Sequence, residues 1–279
     1  MASASKLISS LVLFELVGRG ELSLASTTGQ VLGWTGPSAA ITLEQLLSFT
    51  SGLPREAPCT LTSTTTLEAC VQTISQMTLE AEPGTRFDYG STHLAVAGRM
   101  AEVVTGQRFN QLFSSLVRTP LGLPAEVTYF TYPKASIGTG NPLVAGGLRA
   151  SMNEYAPMLQ LAFHRGVRGE VTVGRPELFD AQARASFPDA GIGNSPIASL
   201  GYDYRYGLCS WLECDAPATG CAVLSSPGAF GFTPWYDRDA GYVAILGMEL
   251  ERGPGDIGVV SFSVSLEQQL EPLIREALR

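Results

Sequence analysis

Residues 7–17 restrict the architecture more than any other part of the chain. Leu7, Ile8, Leu11, Val12, Phe14, Leu16 and Val17 recur closely enough to cover most of a helix, and Gly18 and Gly20 then stop it. A helix that is apolar on nearly every side has to be enclosed by other elements, so the fold must be built around the beginning of this chain. The 279 residues, 45% of them hydrophobic, are enough to bury a sizeable core. A rival reading takes residues 1–17 as a secretory signal with Lys6 as its charged region, but Glu15 interrupts the apolar stretch. No small-x-small cleavage site follows directly.

Further helices are expected from Thr42, which serves as a cap before Ser51-Gly52-Leu53-Pro54 breaks the run, and over 66–79, 92–104, 109–117, 153–164 and 176–185. After Tyr204 the texture changes to short runs at 206–212, 222–225 and 242–249 that read as strands, and a last helix is expected over 263–278. The fold class is therefore α+β: an antiparallel sheet flanked by helices, with an α-rich lobe. No apolar stretch reaches the ~20 residues of a membrane-spanning helix.

Charge narrows the function. A formal net charge of -8 and few charged residues argue against a surface for nucleic acid. Of the 18 basic residues only Lys6 and Lys134 are lysines, so any role for an amine that can lose its proton has two candidates. His93 and His164 stand far apart with no metal-ligand spacing, and neither a G-x-S-x-G elbow nor a phosphate-binding glycine loop occurs, so no metal and no cofactor are expected. Cys59 with Cys70, and Cys214 with Cys221, suit two short disulfide loops that leave Cys209 over, which leans toward an exported, periplasmic or secreted protein. Five buried thiols in a cytosolic enzyme would leave the same letters.

Three segments carry chemistry. Ser3 and Lys6 are three residues apart at the start of the apolar helix, so their side chains share a face. A desolvated lysine can take the proton that a serine hydroxyl must lose to attack a carbonyl, and arginine could not. A capped helix with a surface lysine would show the same two letters. Tyr89 follows the turn Pro83-Gly84-Thr85, where a phenol beside an amine can relay a proton to a leaving group, or simply anchor a loop. Ser226-Pro227-Gly228-Ala229 lies between expected strands; its glycine lets a substrate approach, and the amides of Ser3 and Ala229 can hold an oxyanion, although a plain Pro-Gly hairpin turn reads the same way.

Together with Ile41-Thr42-Leu43-Glu44-Gln45-Leu46-Leu47, Thr50-Ser51-Gly52-Leu53 and Val144-Ala145-Gly146-Gly147-Leu148, these segments resemble the penicillin-recognising serine hydrolases: class C β-lactamases, penicillin-binding proteins and related esterases. The likeness spans essentially the whole chain. It implies one catalytic domain over 1–279, with an α-rich lobe at about 40–200 and a sheet lobe from 1–35 and 201–279. It also implies Ser3 as acylated nucleophile, Lys6 as its base, Tyr89 as the tyrosine of a Tyr-x-Asn motif, and Ser226-Pro227-Gly228 in place of Lys-Thr-Gly. Ser91 stands where the family has asparagine, and Ser226 removes a cation used for substrate carboxylates, which tilts the expectation toward small esters or related amides. A β-lactam or D-amino-acid peptide is the alternative substrate, and a silent ligand-binding relative the alternative class. Family members carry a helix and two strands ahead of the nucleophile, so a shortened start with an unpaired sheet edge is also expected.

Overall fold

A computed structural model describes residues 1–132, 137–248 and 258–279; Lys134 and the end of the expected strand at Glu249 lie outside them. The apolar run forms helix α1 (Ser5–Gly18), preceded by a 3-10 turn over Ala2–Ala4. Leu7, Ile8, Leu11, Val12, Leu13 and Phe14 are all completely buried, each contributing on the order of 2 kcal/mol. Gly20, with φ of 77°, ends the run in a left-handed turn that a side chain would strain.

Helix α1 is the centre of the molecule. It packs against α2 (Thr92–Thr105) and α3 (Met152–Phe163). Thr42 caps a short helix, Leu43–Leu47, through a capping box with Gln45, and Thr66 caps Leu67–Ile74 by accepting from the Ala69 amide. The helix expected over 109–117 is α-helical only over Phe109–Phe113 and continues as a π turn over Ser114–Arg118.

The C-terminal third is a five-stranded antiparallel sheet in sequential order: β1 (Arg205–Tyr206), β2 (Trp211–Leu212), β3 (Val223–Ser225), β4 (Thr233–Asp237) and β5 (Tyr242–Leu246). The run at 206–212 is thus two strands folded back on each other; Cys209, at φ of 64°, sits in the bend. Strand β4 was not among the expected strands, and it contains Pro234, a residue disfavoured inside a sheet. Its carbonyl nonetheless accepts from Ser226 N at 3.0 Å, and all five of its residues are buried. Helix α3 covers β4 and β5, and the last helix, α4 (Gly258–Ala277), packs on β4, where Thr233 Oγ1 donates to Ser263 Oγ at 2.9 Å. Among the described residues no strand precedes Arg86, in agreement with the expected lack of strands ahead of Ser3, and β5 has one neighbour, β4.

Disulfides join Cys59 to Cys70 and Cys214 to Cys221, and Cys209 is free and buried. Among the described residues no helix is long and apolar enough to cross a membrane.

Candidate active site

The site is built on the first turn of α1. Ala2 has φ of 46°, a left-handed conformation that costs on the order of 1 kcal/mol for an alanine. It is held by the Ser5 hydroxyl, which donates to Ala2 O at 2.7 Å, and it opens the 3-10 turn that carries Ser3 into α1. Lys6 is only 3% exposed. Its Nζ donates to Ser3 Oγ at 2.9 Å and to Ala145 O at 2.9 Å, and lies 4.7 Å from the centre of the Tyr89 ring. Burial holds the amine down at about 8, against smaller upward pulls from Glu56 and Cys209.

Tyr89 is fixed from two sides. Its backbone is clamped to Asn194, whose side-chain amide donates to Tyr89 O at 2.9 Å while Tyr89 N donates to Asn194 O at 2.9 Å. Its ring stacks on Trp211 at 5.1 Å and meets Phe49 edge-on at 5.4 Å. Burial pushes the phenol up, outweighing the opposite effect of Ser3 and Trp211, so at neutral pH Tyr89 carries its proton. Behind it His93 is completely buried and held down at about 4 by desolvation. The neutral ring donates from Nε2 to Asp88 O at 2.8 Å and accepts from the Ser51 hydroxyl at Nδ1, also 2.8 Å, so it braces the Tyr89 loop.

The segment after β3 closes the opposite side. Ser226 Oγ donates to Ser3 O at 3.2 Å, and a side chain at Gly228 would stand 2.1 Å from Met1 O, so only glycine lets this segment lie against the turn that carries Ser3. The Gly228 amide is taken by Phe232 O at 2.9 Å; the next amide, on exposed Ala229, makes no backbone bond among the described residues. Ser91 is the first residue ahead of α2, and its amide donates to Arg55 O at 2.9 Å.

Of the residues singled out in the sequence, Ser3, Lys6, Tyr89, Ser226 and Gly228 converge on one turn. Among the described residues neither Ser91 nor Ala229 makes a hydrogen bond or ion pair with Ser3 or Lys6. Sequence reasoning missed the carbonyl of Ala145 as the second partner of Lys6, Trp211 as the floor under Tyr89, and Glu56, whose charge reaches both Lys6 and Tyr89. The Val144-Ala145-Gly146-Gly147-Leu148 text was the available signal for the first: a side chain at Gly147 would come within 2.0 Å of Phe130 O, so this segment can lie against Phe130 only as glycine. Among the described residues no three His, Cys, Asp or Glu side chains are grouped to hold a metal.

The geometry agrees with what comparison with known proteins finds. A curated relative, penicillin-binding protein 4 of Amycolatopsis lactamdurans, is 31% identical over 132 residues, which is 45% of this chain; the chain spans 35% of that protein's length. A structure from Bacteroides dorei DSM 17855, assigned as a beta-lactamase, superposes with a TM-score of 0.83 at 29% identity, covering 98% of this chain and 85% of that one. EstCE1, a hydrolase with promiscuous acyltransferase activity, shares the fold at a TM-score of 0.68 and 20% identity, over 95% of this chain and 84% of its own. The Beta-lactamase family model matches residues 1–263, nearly the whole length, and the chain belongs to that family.

Proposed function

We propose that this protein is a serine hydrolase that forms an acyl-enzyme on Ser3 and hydrolyses small esters or related amides. The observation that carries the reading is the 2.9 Å contact between the buried Lys6 amine and the Ser3 hydroxyl. With its amine held at about 8, Lys6 is neutral in a minority of molecules at neutral pH, and in those its lone pair can turn to the Ser3 hydroxyl while an N–H remains on Ala145 O. Ser3 Oγ then bonds to the carbonyl carbon as its proton passes to Lys6 Nζ. The negative charge that develops on the carbonyl oxygen is met by the amides of Ser3 and Ala229. Tyr89, protonated and beside the same amine, gives its proton to the departing alkoxide or amine and is reprotonated from Lys6. Water then attacks the acyl carbon, Ser3 leaves with a proton, and the acid is released. Ser91 and the 226–228 segment border the space where the substrate lies.

Ester preference is supported by Ser226, which offers no cation to a substrate carboxylate where many β-lactam-binding relatives carry one. The rival within the same chemistry is a β-lactam or D-amino-acid peptide, favoured by the likeness to the Bacteroides dorei structure and to penicillin-binding protein 4. Two disulfides support a location outside the cytosol, and the whole chain acts as one catalytic unit in this reading.

Turnover of 4-nitrophenyl butyrate beside nitrocefin tests both substrate classes. Ester hydrolysis that disappears in a folded Ser3→Ala variant is the expected result. Rapid nitrocefin turnover without esterase activity overturns the substrate preference, and undiminished activity in Ser3→Ala overturns the nucleophile.

A further inference from the structure

A cavity of about 310 Å³ opens beside the nucleophile turn, lined by Ala2, Gly146, Leu148, Arg149 and Phe230 among others. Ser3, Lys6 and Tyr89 are not among the lining residues, but Ala2 immediately precedes Ser3 in the 3-10 turn, which places the cavity beside that turn. None of its lining residues is acidic, and Arg149 is the one charged side chain among them. On a chain with a net charge of -8 this is a distinctive wall. The steps above make no use of it.

Arg149 is rigidly presented. It belongs to the two-residue strand Leu148–Arg149, paired with Thr128–Tyr129. That strand is tied to α1 by Leu148 N, which donates to Ser5 Oγ at 3.1 Å, three residues after the carbonyl that holds Lys6. The guanidinium carbon sits 3.6 Å above the centre of the buried Phe130 ring, and Nη2 donates to Tyr132 O at 3.3 Å. Stacking fixes the plane of the fork, and among the described residues its other N–H groups make no hydrogen bond and no carboxylate pairs with it. A wider outer cavity shares Arg149 but is also lined by Glu126 and Glu154, whose charges disfavour an anion farther out.

We propose that Arg149 is a specificity-determining residue that binds a carboxylate carried by the substrate in the inner cavity, so that the preferred esters are anionic. The cation missing at Ser226 is then supplied by Arg149. This rests on Ser3 being the reacting residue, and the test separates the two ideas. The ratio of kcat/KM for 4-nitrophenyl hemisuccinate over 4-nitrophenyl butyrate probes a carboxylate on the acyl side, and 4-acetoxybenzoate over phenyl acetate probes one on the leaving side. In at least one pair the ratio should fall about tenfold or more in Arg149→Gln and be partly restored in Arg149→Lys. Equilibrium binding of the same four esters to Ser3→Ala, with and without Arg149→Gln, reads the preference without turnover. Ratios that stay level in both pairs, with no anionic preference in binding, overturn the role of Arg149 even if Ser3 is active. Loss of turnover in the wild type with an Arg149-dependent anionic preference in binding leaves Arg149 standing and removes the hydrolase reading.

Discussion

Two places in this molecule bury charge, and they do so in opposite ways. At the start of α1 the Lys6 amine is enclosed but served on every side, by Ser3 Oγ, Ala145 O and the face of Tyr89. Under α4 three carboxylates crowd together with far less support. Among the described residues, completely buried Glu267 has no partner for either oxygen, Glu213 accepts from Gln268 Nε2 at 2.7 Å while its other oxygen has no partner, and Glu271 is 3.9 Å from Arg275. Burial pushes all three up, Glu213 to about 7; neighbouring carboxylates add to this at Glu213 and Glu267, and at Glu271 Arg275 pulls the other way while Asp237 adds to the rise. The amine is held where it can exchange a proton with a hydroxyl. The carboxylates can only be relieved by taking protons, with Tyr204 and Ser225 as the other groups facing Glu213. On the proposed function, a buried charge serves chemistry where its contacts are completed and is a pH-dependent liability where they are not.

The comparison is broken most severely by removing the amine. Lys6→Met and Lys6→Arg should each lower esterase kcat/KM by about 10³-fold or more, because neither side chain can accept the Ser3 proton at neutral pH. An active Lys6→Arg enzyme would show that charge at this position, and not proton exchange, is what matters. Tyr89→Phe keeps the ring against Trp211 and Phe49 but removes the relay, and a loss of roughly 10²-fold is expected, measured as the rate of 4-nitrophenolate release.

At the other region the expected effects are on stability. The folded values of Glu213 and Glu267 lie above the unfolded carboxylate value of 4.5, so the folded state binds protons that the unfolded chain gives up. The favourable contribution of these groups is complete below that unfolded value and is lost as pH rises through the folded one, about 7 for Glu213. Urea unfolding midpoints should therefore fall between about pH 5 and pH 8, where this linkage operates. Glu267→Gln should flatten that decline and stabilise the protein at about pH 8 by on the order of 1 to 3 kcal/mol. A variant that is destabilised equally at both pH values would mean that Glu267 has partners and that the contrast between the two regions is false.

Much of this was legible in the chain. The all-round apolar run named the central helix, the scarcity of lysine pointed to Lys6, and cysteine spacing matched both disulfides. What escaped depended on contacts distant in sequence. Strand β4 contains Pro234, and its place in the sheet comes from Ser226 and Ile245 on its neighbours, which local letters do not announce. The fold of 206–212 into two strands turns on Cys209 in a left-handed conformation that its residue type disfavours. Ala145 acts through its carbonyl, which every residue possesses, so nothing in its identity marks it. Glu213 and Glu267 are 54 positions apart by number, and a charged pair so placed reads in sequence as ordinary surface.

The most direct test of the central claim is the rate at which a fluorophosphonate labels Ser3 as a function of pH, with the modified residue located by peptide mass spectrometry. Labelling confined to Ser3, with a rate that climbs to a plateau through a midpoint near the Lys6 value of about 8, is the expected result. A flat profile between about pH 6 and pH 10, or a label on a different serine, would contradict an amine-activated hydroxyl at this turn.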